Sequence, residues 1–384
     1  MTDIRQAPTG LAPIGPDTHT PGHVGRAVAA TAGIAVGALA AIAVFVYLVS
    51  AIGAAGVVIA AIAALVPFAL VLLAIRWIDR WEPEPRPALA FALLWGAGVA
   101  VAVALVFDLG VQIVLAVAGG RPDDFVRAVL QAPIVEEAAK GFGVLLLLWV
   151  NRRHFDGPVD GIVYAATVAA GFAFTENVLY FGRVLAENGL GAAFLFTFVV
   201  RGLFSPFAHV LFTACTGYAI GRAAERGASA GAGFGAYLVG LVPAAALHAL
   251  WNGGLSLAGD VIAYYLLVEV PIFLAAVAVV VVVRARERAV TRQRLGEYAD
   301  AGWFTPQEVA LISTPAGRRQ ALAWAQAQPD PRRKREAMNR LIRDATRLGH
   351  ARQRLVRGRA SIGRTPDERE LLGRIVADRA ILTS

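Results

Sequence analysis

The feature that most constrains the fold is a series of apolar runs, each long enough to cross a membrane. A helix that crosses the ~30 Å hydrocarbon core of a bilayer needs about 20 apolar residues. Runs of this kind lie at about 28–50, 54–75, 88–117, 130–150, 159–181, 193–220, 234–256 and 261–283. Because an open strand would leave backbone groups unpaired in lipid, we predict an all-α protein with about eight transmembrane helices.

The composition agrees with a membrane protein and excludes two classes of soluble protein. Hydrophobic residues make up 57% and charged residues 17% of the 384 residues, whereas ordinary soluble domains have about 45–50% and about 25%. The single cysteine, Cys215, has no partner for an intramolecular disulfide and cannot complete a cysteine-based zinc site. A disulfide-stapled scaffold and a thiolate zinc protein are therefore excluded.

Charge is distributed unevenly and divides the chain into three segments. Residues 1–25 are polar and rich in Pro, Gly and Thr, so we expect a disordered N-terminal tail rather than a cleaved signal peptide. Residues 26–284 contain the apolar runs and form the predicted membrane domain. From Arg284 onward the chain holds 22 of its 36 Lys and Arg residues but only 11 of its 28 Asp and Glu residues.

The basic segment 285–384 alternates charged residues with Leu, Ile, Val and Trp at helical spacing. This pattern predicts a cytoplasmic tail of amphipathic helices. A positive surface suits contact with anionic lipid. No nucleic-acid-binding motif is present, so we expect no nucleic-acid partner.

The arginines between the spans predict the orientation, since short cytoplasmic loops keep an excess of Lys and Arg. After spans two, four and six, the arginines all lie on one side of the membrane: Arg76, Arg80, Arg86, Arg152, Arg153, Arg222 and Arg226. The opposite loops carry only Arg121, Arg127 and Arg183. We therefore predict a multi-pass protein of the cell membrane with both termini in the cytoplasm.

Span four contains three charged residues, Glu136, Glu137 and Lys140. An ionisable residue inside a span costs at least about 2.5–3.5 kcal/mol, so each needs a partner or a role. Lys140 is spaced to pair along the helix with one carboxylate while the other faces elsewhere. Because a structural ion pair needs only one glutamate, the second favours a general base.

Spans five to seven are also interrupted by polar residues: Glu176 and Asn177, then His209, then His248 and Asn252. Each has a structural alternative, as an interhelical hydrogen bond or a packing histidine. His248 and Asn252 are four residues apart, which places an imidazole and an amide on one helix face, as a metal site would need. His209 lies on a four-residue stripe with Arg201, Ser205 and Thr213.

At a helical rise of about 1.5 Å per residue, most of these residues are predicted to lie at a similar depth in the membrane. Glu137 lies about seven residues, or ~10 Å, below the outer boundary of its span, and Glu176 and His248 lie roughly 7–12 Å below the same face. His209 is nearer the middle of the membrane and fits this depth least well. The sequence therefore predicts a polar site in the outer half of the membrane.

These motifs resemble those of the PrsW family of intramembrane proteases, within the larger group that includes the CAAX prenyl endopeptidases. The resemblance rests on Glu136-Glu137-x-x-Lys140, Phe172-x-x-x-Glu176-Asn177, His209 and His248-x-x-x-Asn252. The loop Asp79-Arg80-Trp81-Glu82-Pro83-Glu84-Pro85 is similar too. The match covers about residues 70–283, and the basic tail lies outside it.

The resemblance implies a metal-dependent peptidase. Some members of the family cleave a single-pass anti-sigma factor near the extracytoplasmic face, so an anti-sigma-factor-like membrane protein is the expected partner. Glu136 and Glu137 match the family's catalytic glutamates, and His248 matches the catalytic histidine. The CAAX enzymes have a histidine where this chain has Glu176. The sequence contains no His-Glu-x-x-His helix.

We interpret the sequence as an intramembrane endopeptidase. The catalytic candidates are Glu136, Glu137, Lys140 and Asn252, and the sequence does not distinguish which glutamate is the base. The candidate ligands of a divalent metal, with zinc the leading choice, are Glu176, His209 and His248. One alternative is a proton- or ion-coupled transporter, although no repeated halves are present. Another is a non-catalytic scaffold whose tail recruits partners.

Overall fold

A computed structural model describes residues 22–81, 83–152, 155, 157–356 and 368–384. All regular structure in these residues is helical. Most of the predicted disordered tail, together with Glu82 and Arg153, lies outside the described residues. The first helix begins at Gly22, within the last residues of the segment 1–25 that was predicted to be a disordered tail.

Eight helices occupy the places of the eight predicted spans. The first four are α1 (Gly22–Ile52), α2 (Ala54–Ile78), α3 (Arg86–Val117) and α4 (Ala132–Val150). The next four are α5 (Pro158–Asn188), α6 (Ala192–Glu225), α7 (Ala230–Leu257) and α8 (Val261–Asp300). Among the described residues, seven helices are long and apolar enough to cross a membrane. The exception is α4, whose three charged residues lower its apolarity. The chain is a multi-pass membrane protein.

Helix α5 is the centre of the membrane domain, and its side chains are the most completely buried. Glycines allow α3 and α6 to approach it closely. A Cβ at Gly161 of α5 would overlap the carbonyl oxygen of Gly217 in α6, and one at Gly171 would overlap that of Leu93 in α3. Small residues at such crossings let helix backbones pack together in a membrane. This packing brings the polar residues of α5 and α6 next to each other.

Several helices contain π-helical turns, which are frequent near functional sites. They lie at Trp95–Ala100 in α3, Arg127–Gln131 before α4, Phe198–Phe204 in α6 and Tyr265–Glu269 in α8. Helix α6 is also broken at residues 205–207. The break comes directly before the turn that carries His209.

The residues from Val281 onward form a second compact unit. Beyond α8 it contains α9 (Pro306–Ile312), α10 (Pro315–Gln326), α11 (Pro331–Val356) and α12 (Glu368–Thr383). Leu295, Leu348 and Ile375 are fully buried in its apolar core. The amphipathic pattern of the basic tail therefore builds a folded helical unit with a core of its own.

Candidate active site

The centre of the site is the pair of adjacent glutamates on α4. The Lys140 ammonium lies one turn further along the helix and donates to both carboxylates, to Glu137 Oε1 at 2.8 Å and to Glu136 Oε2 at 3.3 Å. The same ammonium lies 3.7 Å from the centre of the Phe172 ring on α5, a cation–π contact. All three charged residues are buried. The sequence-based pairing of Lys140 along the helix therefore involves both glutamates.

Glu137 is fully buried, and the surrounding helices occupy its carboxylate. Thr213 of α6 donates to Oε2 at 2.7 Å, while Lys140 and His248 Nδ1, at 3.1 Å, both contact Oε1. Because an ionised carboxylate only accepts hydrogen bonds, the Nδ1 of His248 carries the proton. The other ring nitrogen, Nε2, is then the one that a neutral imidazole would offer to a metal. Glu137 orients the imidazole in the way that outer carboxylates orient metal-binding histidines.

Glu136 has a different environment from its neighbour. It lines a cavity of about 290 Å³ enclosed by α4, α5, α6 and α7, which Glu137 does not line. The Nε2 of His248 lies 4.0 Å from Glu136 Oε2. Of the two glutamates, Glu136 is therefore the one that can meet a molecule in the cavity.

His209 of α6 also belongs to this cluster, with its ring centre 5.2 Å from that of His248. Its Nδ1 lies 3.1 Å from Lys140 Nζ, and its Nε2 lies 2.7 Å from Glu176 Oε2. Since an ammonium can only donate, Nδ1 accepts and Nε2 donates to Glu176. His209 fitted the predicted depth least well, yet it lies in the same cluster as His248. A rise count along one continuous helix fails here because α6 contains a π turn and a break before His209.

Glu176 and Asn177 of α5 lie on the cavity wall, where Arg201 contacts both. Its guanidinium donates to Glu176 Oε2 at 2.6 Å and to Asn177 Oδ1 at 3.1 Å, and it stacks over the Tyr180 ring at 3.9 Å. Arg201 was on the polar stripe recognised in the sequence, but no role was predicted for it. The sequence showed only that Arg201 lies on this stripe. Its partners, Glu176 and Asn177, could not be predicted without knowing how α5 packs on α6.

Asn252, the remaining predicted site residue, also lines the cavity. Its Nδ2 donates to the carbonyl oxygen of Ala128 at 2.7 Å and so ties α7 to the π turn before α4. Two other side chains hold α4 from outside the cavity. Trp95 donates to the carbonyl of Ala139 at 2.9 Å, and Tyr237 donates to that of Ala138 at 3.1 Å. The structure therefore brings every predicted site residue to one cavity or its immediate surroundings.

The charges of the cluster do not cancel. Three carboxylates, Glu136, Glu137 and Glu176, face two permanent cations, Lys140 and Arg201. With neutral imidazoles, one negative charge would remain in a region where unpaired charge is costly. A bound cation or a proton would balance it.

The donors that could hold a metal are Glu136, His209 and His248, whose ligand atoms lie within 4.8 Å of one another. Two imidazoles and one carboxylate form the ligand set of several catalytic zinc sites. Zinc bonds of about 2.0–2.2 Å separate tetrahedral ligands by roughly 3.3 Å, so the donors would have to close by up to about 1.5 Å. His248 turns its Nε2 toward Glu136, whereas His209 would have to give up one of its two present partners. The residues fit a divalent cation in kind, number and charge.

Glu176 lies outside this group of three. Its carboxylate is already bound by Arg201 and His209, which holds it on the far side of the imidazole. Among the three donors, Glu136 occupies the place that was predicted for Glu176. The role of Glu176 as a direct ligand stays a prediction.

The chain is similar to bacterial proteins named Protease PrsW. It is 36% identical over 146 residues to the one from Geobacillus kaustophilus, a match that covers 38% of this chain and 58% of the relative. Identity is 37% over 99 residues to that of Oceanobacillus iheyensis (26% and 41% covered) and 31% over 145 residues to that of Bacillus subtilis (38% and 60% covered). The matches thus span 41% to 60% of the length of these relatives. No solved structure matches the chain significantly.

Residues 84–282 match the family described as PrsW family intramembrane metalloprotease. This stretch is just over half of the chain and includes all the residues of the cluster around Glu136 and Glu137. It leaves out the basic unit that follows α8. The chain belongs to the PrsW family of intramembrane metalloproteases.

Proposed function

We propose that this protein is an intramembrane endopeptidase that hydrolyses peptide bonds of membrane-anchored proteins. The observation that carries the proposal is the cluster of buried charges and imidazoles that four helices bring to one cavity. Burying three carboxylates among apolar helices is expensive, and the costs are offset only in part by Lys140 and Arg201. The residue types are those that peptide hydrolysis needs, which favours a peptidase over a transporter.

Glu136 is the proposed general base, because it is the glutamate that faces the cavity. A water molecule beside it would lose a proton to the carboxylate as it attacks the peptide carbonyl, and the same carboxyl group would then give the proton to the leaving amine. Lys140 keeps the neighbouring Glu137 ionised. Glu137 in turn holds His248 with its Nε2 toward the cavity.

Two amide side chains line the cavity and are suited to contact the substrate. Asn252 uses one N–H on the carbonyl of Ala128, so its second N–H remains for the developing negative charge on the peptide oxygen. Asn177 presents its oxygen to Arg201, which leaves its NH₂ group for the same purpose or for the peptide backbone. We propose Asn252 as the principal donor, because it lies on the wall next to His248.

His209, His248 and one carboxylate oxygen of Glu136 are the proposed ligands of a divalent metal, with zinc the leading candidate, and the other oxygen of Glu136 remains the proposed base for the water. When bound, such an ion supplies a Lewis acid that polarises the scissile carbonyl. The residual negative charge of the cluster and the orientation of His248 by Glu137 both favour a cation at this place. Lys140 would then serve to separate the carboxylates from each other and to position His209.

The proposed substrates are single-pass membrane proteins, which family resemblance suggests to be anti-sigma-factor-like, cut near the extracytoplasmic face. The depth count supports this face, because Glu137, Glu176 and His248 lie roughly 7–12 Å below the outer boundary. The loop arginines support cytoplasmic termini. Reporter fusions after Val150 and after Arg284 should both report the cytoplasm, and an outside location for either would contradict the orientation.

The proposal can be tested with purified protein in liposomes and a panel of single-pass substrates that differ in their outer juxtamembrane sequence. We expect at least one substrate to be cut, and mass spectrometry of the products should place the cut within about seven residues of the outer boundary. A chelator should stop cleavage, and added Zn²⁺ should restore it. Cleavage at the cytoplasmic boundary, or full activity without bound metal, would contradict the corresponding part of the proposal.

A further inference from the structure

A second cavity, separate from the proposed active site, lies where α2 ends and α3 begins. Its volume is about 870 Å³, three times that of the cavity at Glu136, for which the value is 290 Å³. The two cavities share no lining residue. The second cavity belongs to the loop of residues 79–85, whose motif has no role in the proposed peptidase chemistry.

Three arginines line this cavity, Arg76 at the end of α2, Arg80 in the loop and Arg86 at the start of α3. All three are exposed. Within the part of the chain that the structure describes, none of them makes an ion pair or a side-chain hydrogen bond. Three guanidinium groups are thus available to a ligand at one place.

The acidic residues of the same cavity serve the loop instead. Glu84 is buried and accepts a hydrogen bond from the Tyr164 hydroxyl of α5. Asp79 accepts a hydrogen bond from the backbone N–H of Glu84 at 3.0 Å. These contacts fold the loop against α5 and engage the carboxylates of Glu84 and Asp79 within the loop and with α5.

Most of the remaining cavity wall is apolar and belongs to membrane-spanning parts of α2 and α3. It includes Leu72, Leu73, Leu89 and Leu93. Leu72 and Leu73 are 37% and 64% exposed, so they face the lipid rather than the protein interior. The cavity therefore has a cationic rim at the end of the spans and a hydrocarbon-facing wall below it. A ligand that satisfies both parts needs an anionic head and an apolar chain.

We propose that this cavity binds the phosphate diester of an anionic phospholipid. Arg76, Arg80 and Arg86 would hold the phosphate, because guanidinium groups match phosphate oxygens with paired hydrogen bonds. The acyl chains would lie along Leu72 and Leu73. The predicted orientation puts the cavity at the cytoplasmic leaflet, where anionic lipid attracts basic residues near the membrane surface.

The test is lipid binding by the full-length protein, measured by native mass spectrometry after titration with phosphatidylglycerol or phosphatidylcholine in detergent. We expect phosphatidylglycerol to bind at least roughly ten-fold more tightly. An arginine near a membrane surface contributes ~1 kcal/mol, so each single variant, Arg76→Gln, Arg80→Gln or Arg86→Gln, should weaken binding roughly five-fold, and the triple variant roughly 100-fold. Exposed arginines elsewhere, changed in Arg121→Gln and Arg332→Gln, serve as matched controls and should leave the affinity unchanged.

Three outcomes would overturn the proposal. One is equal binding of the two lipids. Another is loss of phosphatidylglycerol binding only in the Arg332→Gln variant, which would locate the lipid on the basic unit. The third is displacement of the lipid by an equal concentration of inorganic phosphate, which would mean that the arginines select a soluble phosphate compound.

Discussion

The membrane domain and the basic C-terminal unit are both helical, but they distribute charge and apolar surface in opposite ways. The membrane domain buries Glu137 and Lys140 completely and exposes large apolar side chains such as Leu267, which is 75% exposed. The C-terminal unit buries Leu348 and Ile375 in its apolar core. Its ion pairs, such as the 2.7 Å contact between Arg340 and Asp378, include partly exposed arginines.

This contrast tells which charges need a functional explanation. An exposed ion pair in water contributes about 0–1 kcal/mol and is inexpensive to keep. A charge inside a membrane costs at least about 2.5–3.5 kcal/mol. The exposed arginines of the C-terminal unit therefore require no role beyond solubility or surface contact, whereas the charges on α4 do. The following substitutions test this difference.

The largest effect is expected for His248→Ala. The variant should lose both its metal and its cleavage activity, because it removes the imidazole whose Nε2 faces Glu136. Elemental analysis and product formation would be measured on the same preparation. The histidine of the C-terminal unit provides the control, and His350→Ala should retain metal and activity. A His248→Ala protein that keeps stoichiometric metal would remove this residue from the ligand set.

The next largest effect is on stability, and it should differ between the two adjacent glutamates. Glu137→Gln should lower the stability of the membrane domain by about 3 kcal/mol, since breaking a buried ion pair costs about 3–5 kcal/mol and the amide keeps part of the hydrogen bonding. Glu136→Gln should cost less than half as much, because its side chain borders the cavity. Thermal unfolding in one detergent compares them. Equal destabilisation would contradict the division of roles.

Lys140→Arg should reduce cleavage by at least roughly ten-fold although charge is retained. The ammonium sits fully buried between Glu136, Glu137 and His209, and a planar guanidinium is too large for these contacts. The other lysine, Lys334, is also buried but lies in the C-terminal unit. Lys334→Arg should leave the cleavage rate within about two-fold, because Lys334 does not line the cavity at Glu136. Wild-type cleavage by Lys140→Arg would reduce Lys140 to a neutralising charge.

The smallest effect on cleavage is expected from removing the basic unit. Truncation after Arg288 deletes its core residues but none of the residues around the cavity at Glu136. The truncated protein should insert and cleave at the wild-type rate. Normal insertion together with lost cleavage would show that the C-terminal unit takes part in the active enzyme.

Much of this architecture could be predicted from the sequence because apolar runs of membrane length are an unambiguous signal. The same holds for the charges on α4 and for His248, since a polar residue is conspicuous in an apolar span. The different environments of Glu136 and Glu137 could not be predicted. Adjacent residues differ only through the helices packed beside them, and here Thr213 and His248 make the difference.

Two further features depended on tertiary structure. The position of His209 required knowledge of the break at residues 205–207, which shifts everything beyond it relative to a continuous helix. The core of the C-terminal unit required the packing of α10, α11 and α12, whereas the sequence pattern showed only that each helix has an apolar face. In both cases the sequence pattern correctly predicted the helices, but it did not show how the helices are arranged relative to each other.

The central claim is that the buried charges on α4 exist for peptide-bond hydrolysis. The most direct test compares two variants that each remove one buried carboxylate from a membrane helix, Glu136→Gln in the cavity and Glu269→Gln in α8, which does not line it. Both proteins would be reconstituted in the same liposomes with one cleavable single-pass substrate. We predict that Glu136→Gln lowers the cleavage rate by about 10²–10⁴, as expected for loss of a general base, and that Glu269→Gln stays within about two-fold. Comparable rates for the two variants would contradict the claim.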